Sequence, residues 1–229
     1  ITATDAKKAA DSDHGIEVAL FGRMVADSKD LNVDSAVQVA HALSTHAVEI
    51  ESDYFTAVDD YKLDEDDAGA GMIGTVEFTS ETLYRFAAVA VSTLKDNLGD
   101  VDLTAQAASA FVRGFIMSMP TGKQNTFANN TIPDAVVVQV RKGRSASFIG
   151  AFEDPVTSDD GGFVAASCQA VAAYAHDCEE AFLGAPEASF VTRVGSRTEA
   201  IGTMGTQMPI DDLVSSVRDQ VTSLLQDES

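Results

Sequence analysis

This 229-residue chain has no tryptophan, only two cysteines and only five prolines. The cysteines, Cys168 and Cys178, are too few for a disulfide scaffold. Ten positions apart on one helix they would lie on different faces, so we read them as small thiols of a protein kept in a reducing cytoplasm. No run of about 18 apolar residues occurs, which excludes a membrane-spanning helix and with it a membrane partner. The opening Ile1-Thr2-Ala3-Thr4-Asp5-Ala6-Lys7-Lys8 lacks the apolar stretch of a secretory signal. It also lacks an initiator methionine, as expected of a segment of a longer protein. Catalytic signatures are missing as well. His14, His41, His46 and His176 have no metal-ligand spacing, and neither a P-loop nor a Gly-x-Ser-x-Gly elbow is present. Neither metal nor cofactor is expected.

Positive charge is scarce too: 15 Lys and Arg stand against 36 Asp and Glu, a net of −21. That balance excludes non-specific nucleic-acid binding, because a phosphate backbone is repelled at long range. A nucleic-acid contact would have to run through a local basic strip. Asp59, Asp60, Asp64, Glu65, Asp66 and Asp67 crowd into one stretch, while Lys123 and the Arg141-Lys142-Gly143-Arg144 group stand apart. The acidic stretch is most simply a solvated loop. The alternative is an acidic metal-dependent enzyme using Asp59, Asp60 and their neighbours.

An apolar fraction of 45% is enough for a sizeable core. Ile16–Phe21 alternates and reads as a strand, as do residues 75–78, 83–91 and Ala135–Val140; residues 37–43 read as extended. Residues 49–74 break the pattern, with Tyr54 and Phe55 at one end and glycines at the other, and read as a long irregular insertion. Thr104 is placed to cap a helix reaching residue 118. Residues 120–131 read as a polar loop, and 161–182 and 210–225 as helices. The expected fold is α+β: one RRM-like (ferredoxin-like) palm built partly from Ile16–Phe21, 83–91 and Ala135–Val140, with the 104–118 helix behind it. Residues 49–74 form a long loop insertion and 161–229 a C-terminal helical part. The first strand and helix of the full βαββαβ unit are missing.

Several short blocks, in order, resemble the CasC-type backbone subunit of the type I-E CRISPR Cascade surveillance complex. They are Gly22-Arg23-Met24 after an apolar run, Ala40-His41-Ala42 with Thr45-His46, and Phe55-Thr56-Ala57-Val58-Asp59-Asp60. Gly74-Thr75, Glu77-Phe78, Tyr84-Arg85, Asn97-Leu98-Gly99 and Pro120 with Lys123-Gln124 and Thr126 follow. The six-residue block from Phe55, in this order with the others, makes the resemblance specific; any single block is weak.

The resemblance implies a hand-shaped, non-catalytic protein, with residues 49–74 as its thumb loop, whose copies stack along a guide RNA, the thumb of one reaching its neighbour. Its partners would be the CRISPR guide RNA, target DNA through that guide, other copies of itself and other Cascade subunits. The family's N-terminal strand and helical fingers are not matched. The implied RNA-binding residues are Arg23, Met24, Phe55, Met72, Lys123, Gln124 and Asn125. Met24 would wedge beside a displaced base. Phe55 would press on the RNA with a ring that tolerates any sequence. Lys123, Gln124 and Asn125 would hold phosphate and sugar, although the family often has a basic residue where Asn125 stands.

Overall fold

Runs of β-branched residues decide where the central sheet forms, and the computed structural model, which describes residues 15–57, 72–158 and 162–227, shows how it is covered. Ala135–Val140 (β7) pairs antiparallel with Ala188–Arg193 (β8), and β8 pairs parallel with the short Thr206–Gln207 (β9). Both faces of this sheet are packed. Val136, Val138 and Phe190 lie against two helices, Val101–Met117 (α3) and Ile210–Asp227 (α6). Ala135, Val137 and Val191 lie on the other face, against Val164–Cys178 (α5) and a 3₁₀ segment, Ser196–Met204. The alternation of Ala135, Val136, Val137 and Val138 between two layers is the period-2 rule of a strand buried on both sides.

α6 shows the complementary rule for helices. Leu213, Val217, Val221 and Leu225 recur every fourth residue and are all buried in one stripe. α3 begins earlier than its sequence indicates. Asp100, not Thr104, is the cap, its Oδ1 accepting from Leu103 N–H at 2.7 Å. Thr104 lies one turn inside and fully buried, donating its hydroxyl to the Asp100 carbonyl at 2.6 Å.

A second apolar cluster corrects the first expected strand. Ile16–Phe21 is a helix (α1), not a palm strand. Its buried residues, Ala19 and Leu20, are adjacent in sequence, which a strand would send to opposite faces. Both pack with Ala36, Val37, Leu94, Ala107 and Ala108. Over six residues, alternation does not separate the two periods, and tertiary burial decides. Gly22 ends the helix at φ 77°, and a Cβ there would stand 2.7 Å from the Val33 carbonyl oxygen. Only glycine meets both conditions.

Residues 37–57 run out and 72–89 run back as one interrupted antiparallel ribbon. Val37–Val39 (β1) pairs with Ala87–Val89 (β6), Leu43–Ser44 (β2) with Leu83–Tyr84 (β5), and Glu51–Ala57 (β3) with Met72–Phe78 (β4). The expected strand 83–91 is therefore two short strands, and Val91 already opens the helix Val91–Leu98 (α2). The break falls at Arg85, whose guanidinium leaves the ribbon to reach the C-terminal end of α3. It donates to the Phe115 carbonyl at 3.2 Å and the Ser118 carbonyl at 3.3 Å, and lies over the Phe115 ring at 4.5 Å.

Of the insertion's described residues, Glu51–Ala57 and 72–74 lie in a paired two-stranded ribbon where the sequence reads as irregular. The acidic run from Asp59 to Asp67 lies outside the described residues. Residues 161–229, expected as helical, also supply β8 and β9, and α5 continues into a π-helical turn, Glu179–Leu183. Among the described residues no helix is long and apolar enough to cross a membrane.

Candidate nucleic-acid interface

β3 and β4 pair only with each other among the described residues, so the hairpin leaves the body as a two-stranded arm. At about 3.4 Å per residue, its seven-residue strands reach about 24 Å. Its surface is the reverse of what water favours. Tyr54 is 74% exposed, Ile73 70%, Met72 55% and Phe55 43%. Period-2 alternation puts Phe55, Met72, Val76 and Phe78 on one face, and Tyr54, Ile73 and Thr75 on the other. Isolated two-stranded hairpins are marginal in water, and large exposed apolar groups on both faces mark a surface made to be covered.

Phe55 lies directly across from Gly74, with its ring tip over the glycine. Glycine gives the ring room to lie on the strand instead of standing off it. Met72 pairs with Ala57, one step outward on the same face, so thioether and ring are diagonal neighbours. The structure thus brings together two residues implied by the sequence, Phe55 and Met72. Asp53 shares their face and is exposed, so this face carries negative charge of its own.

The loop carrying Lys123 is fastened to this arm by a contact the sequence reading did not include. Phe78, at the inner end of the Phe55 face, stacks at a tilt on Phe127, with ring centroids 5.0 Å apart. Phe127 closes a one-turn helix, Gln124–Phe127 (α4), whose preceding residue is Lys123. Lys123, Gln124 and Asn125 are all exposed. Lys123 and Ala128, at the two ends of this turn, both hold left-handed backbone, at φ 60° and 50°. That geometry costs non-glycine residues roughly 1–2 kcal/mol each. Two aromatics flanking the polar runs, Phe78 in period with Gly74 and Val76, were the signal available in the sequence.

Arg23 and Met24 stand at the other end of the ribbon, beside α1 and β1. Arg23 is bridged to Val33 by paired backbone hydrogen bonds of 2.9 Å, and its Nε donates to the Leu31 carbonyl at 2.8 Å. Met24 follows at 87% exposure, on a loop closed by Val25 N–H donating to Asn32 Oδ1 at 2.6 Å. The bridge holds the backbone while the thioether faces water. Within one chain, Met24 is at the root of the ribbon and Phe55 on the arm.

Arg141 and Asn97 hold the frame. Arg141 is engaged by Glu179 and by the Gly184 carbonyl at 2.8 Å, leaving Lys142 and Arg144 exposed in the turn. Asn97 donates its amide to the Ala19 and Asp34 carbonyls, both at 2.9 Å, pinning α2 to α1 and the approach to β1. Burial, and next the Asp134 carboxylate, push the Cys168 thiol up to about 11, which leaves it unreactive. Among the described residues, no group of three or more His, Cys, Asp and Glu side chains could hold a metal ion.

Comparison with known proteins agrees with this layout. The chain matches the CT1975-like protein family over residues 1–216. Among solved structures it is similar to a chain of a "CRISPR RNA-guided surveillance complex, pre-nicking", with 34% identity and a TM-score of 0.83 over 95% of this chain. This chain spans 59% of that one. A chain of a "CRISPR RNA-guided surveillance complex" is also 34% identical, with a TM-score of 0.76 over 94% of this chain and 85% of the other. A comparison with curated proteins returns no match. The residue motifs, the family match and the likeness of fold agree, and this chain belongs to the CT1975-like family of CasC-type Cascade subunits.

Proposed function

We propose that this chain is a guide-RNA-binding backbone subunit of a CRISPR surveillance complex, and that it works without catalysis of its own. Its copies would stack along the RNA in the cytoplasm beside other Cascade subunits and leave guide segments open to pair with target DNA. The β7-β8-β9 sheet with α3 and α6 takes the part of an RRM-like palm, and the β3-β4 arm that of the thumb. The observation that carries this reading is the arm itself. It displays Phe55 and Met72 on one face and is tied through Phe78 and Phe127 to a loop offering Lys123, Gln124 and Asn125.

The chemistry suits a guide that varies in sequence. An aromatic ring and a thioether accept any base face, while one lysine and two amides meet phosphate and sugar. A chain at −21 cannot hold RNA by long-range attraction. Binding therefore gains from assembly, in which each arm completes a neighbouring site and adds avidity. The test is co-expression with partner subunits. RNA of uniform length should co-purify, and it should be absent when Phe55→Ala and Lys123→Ala are combined. Assembled complex free of RNA would contradict the proposal.

A further inference from the structure

We infer that His46 is a positioning residue, a clasp at the neck of the β3-β4 arm that sets the direction in which the arm points. The ribbon is out of step at this place. Between the β2-β5 and β3-β4 pairings, six residues on the outgoing strand (45–50) face four on the returning one (79–82). Extra residues on one strand bend and twist an antiparallel ribbon, so the neck is where the arm's angle is decided. Left to itself, such a mismatch would be a swivel.

The side chain of His46 closes it. Thr45 N–H donates to the Thr82 carbonyl at 2.9 Å, and Thr82 N–H donates back to His46 Nε2 at 3.0 Å. His46 Nδ1 lies 2.8 Å from the Ala47 carbonyl and donates to it, so the ring proton sits on Nδ1 and Nε2 is the acceptor. The imidazole thus replaces a ladder partner that the mismatched backbone cannot supply.

The same two residues fix the neck to the body. The His46 ring is buried and stacked on Phe163, just before α5, with centroids 3.7 Å apart. Ser167, inside α5, donates its hydroxyl to Thr45 Oγ1 at 2.8 Å, a bond buried at both ends. Val156 N–H donates to the Thr45 carbonyl at 2.9 Å. Outgoing strand, returning strand and α5 all meet at Thr45 and His46. The arm has no sheet neighbour among the described residues, so besides the Phe78–Phe127 contact at its inner end it holds its direction through this neck.

The consequence for RNA rests on the function proposed above, whereas the clasp itself is testable without RNA. Spin labels at Thr56→Cys on the arm and Asp102→Cys on α3, in a Cys178→Ser background, report the arm's angle as a distance distribution. A swing of roughly 20° at the neck moves a label about 20 Å out by about 7 Å. With His46 present the distribution should be narrow. His46→Phe keeps the stacked ring and removes the acceptor, and should broaden the distribution by several ångströms. His46→Gln, whose amide oxygen reaches the place of Nε2, should narrow it again. Ser167→Ala, a mild change inside a helix, should broaden it in the same direction if His46→Phe does not fold. If the arm points correctly in only a tenth of His46→Phe molecules, RNA affinity in the assembled complex falls about tenfold. A narrow, unshifted distribution in His46→Phe, or in Ser167→Ala where the first variant is unfolded, overturns the clasp. A broadened distribution with unchanged RNA affinity keeps the clasp and refutes its part in RNA binding.

Discussion

The seat of Phe55 can be tested without touching Phe55. A Cβ placed on Gly74 would stand 2.3 Å from Phe55 Cζ and 2.6 Å from Cε1, far inside any real carbon contact. Gly74→Ala must therefore push the ring off the strand. The obstructing atoms are the end of a side chain that can rotate, so the backbone register survives. Losing the ring's cross-strand contact costs about 0.2–1 kcal/mol. Replacing a strand glycine by alanine returns roughly 0.5–1 kcal/mol of backbone entropy. The two nearly cancel, and the melting temperature should barely move. RNA binding should respond much more. Stacking on an aromatic is worth about 1–3 kcal/mol per base, about 5- to 150-fold in affinity. Gly74→Ala should lose a substantial part of that. The discriminating assay is a double-mutant cycle on RNA affinity in the assembled complex. In a Phe55→Ala background, Gly74→Ala should have no further effect, because there is no ring to displace. Equal losses from Gly74→Ala in both backgrounds would refute the reasoning.

Four other outcomes follow from the packing. Gly22→Ala should cost about 2 kcal/mol or more in a denaturant titration, because it meets positive φ and backbone atoms at 2.7 and 2.9 Å together. Arg85→Met should cost about 1–2 kcal/mol of stability by uncovering the last carbonyls of α3 and removing the contact over Phe115, read from the same titration. At pH 8, iodoacetamide should modify Cys178 first and leave Cys168 intact, as peptide mapping will show. The Cys168 thiol is raised from 9.0 to about 11 in the fold, so between those pH values the unfolded chain has given up a proton that the folded one keeps. Stability should therefore fall as pH rises through that window.

Long-period patterns were legible in the sequence and short ones were not. The valines of Ala135–Val140 and the four-residue spacing of Leu213, Val217, Val221 and Leu225 announce their elements because each repeats long enough to exclude the other period. Ile16–Phe21 does not, and its adjacent buried pair Ala19 and Leu20 shows that burial chose the helix. β3 was hidden for a different reason. Glu51, Ser52 and Asp53 are poor strand formers, and an arm exposed on both faces has no inward and outward alternation to read. β8 was missed because Ser189, Thr192 and Arg193 dilute its apolar signal. At the site, Phe55, Met72 and Lys123, which the motifs single out, are exposed. The motifs could not show that Thr45, His46, Asn97 and Arg85 hold the frame, since such roles depend on partners distant in sequence: Thr82 and Ser167 for the first two, Ala19 and Asp34 for Asn97, Phe115 and Ser118 for Arg85. The Phe78–Phe127 contact, 49 positions apart, was beyond pattern for the same reason.

The account's central claim separates stacking from charge, and the salt dependence of RNA affinity measures the two independently. In the assembled complex, Lys123→Ala should flatten the plot of log affinity against log salt by about one counterion and weaken binding equally for every guide. Phe55→Ala should lower affinity by about 1–3 kcal/mol per site while leaving the slope unchanged, again whatever the guide sequence. Wild-type affinity in both variants, or a Phe55→Ala loss confined to certain bases, would contradict it.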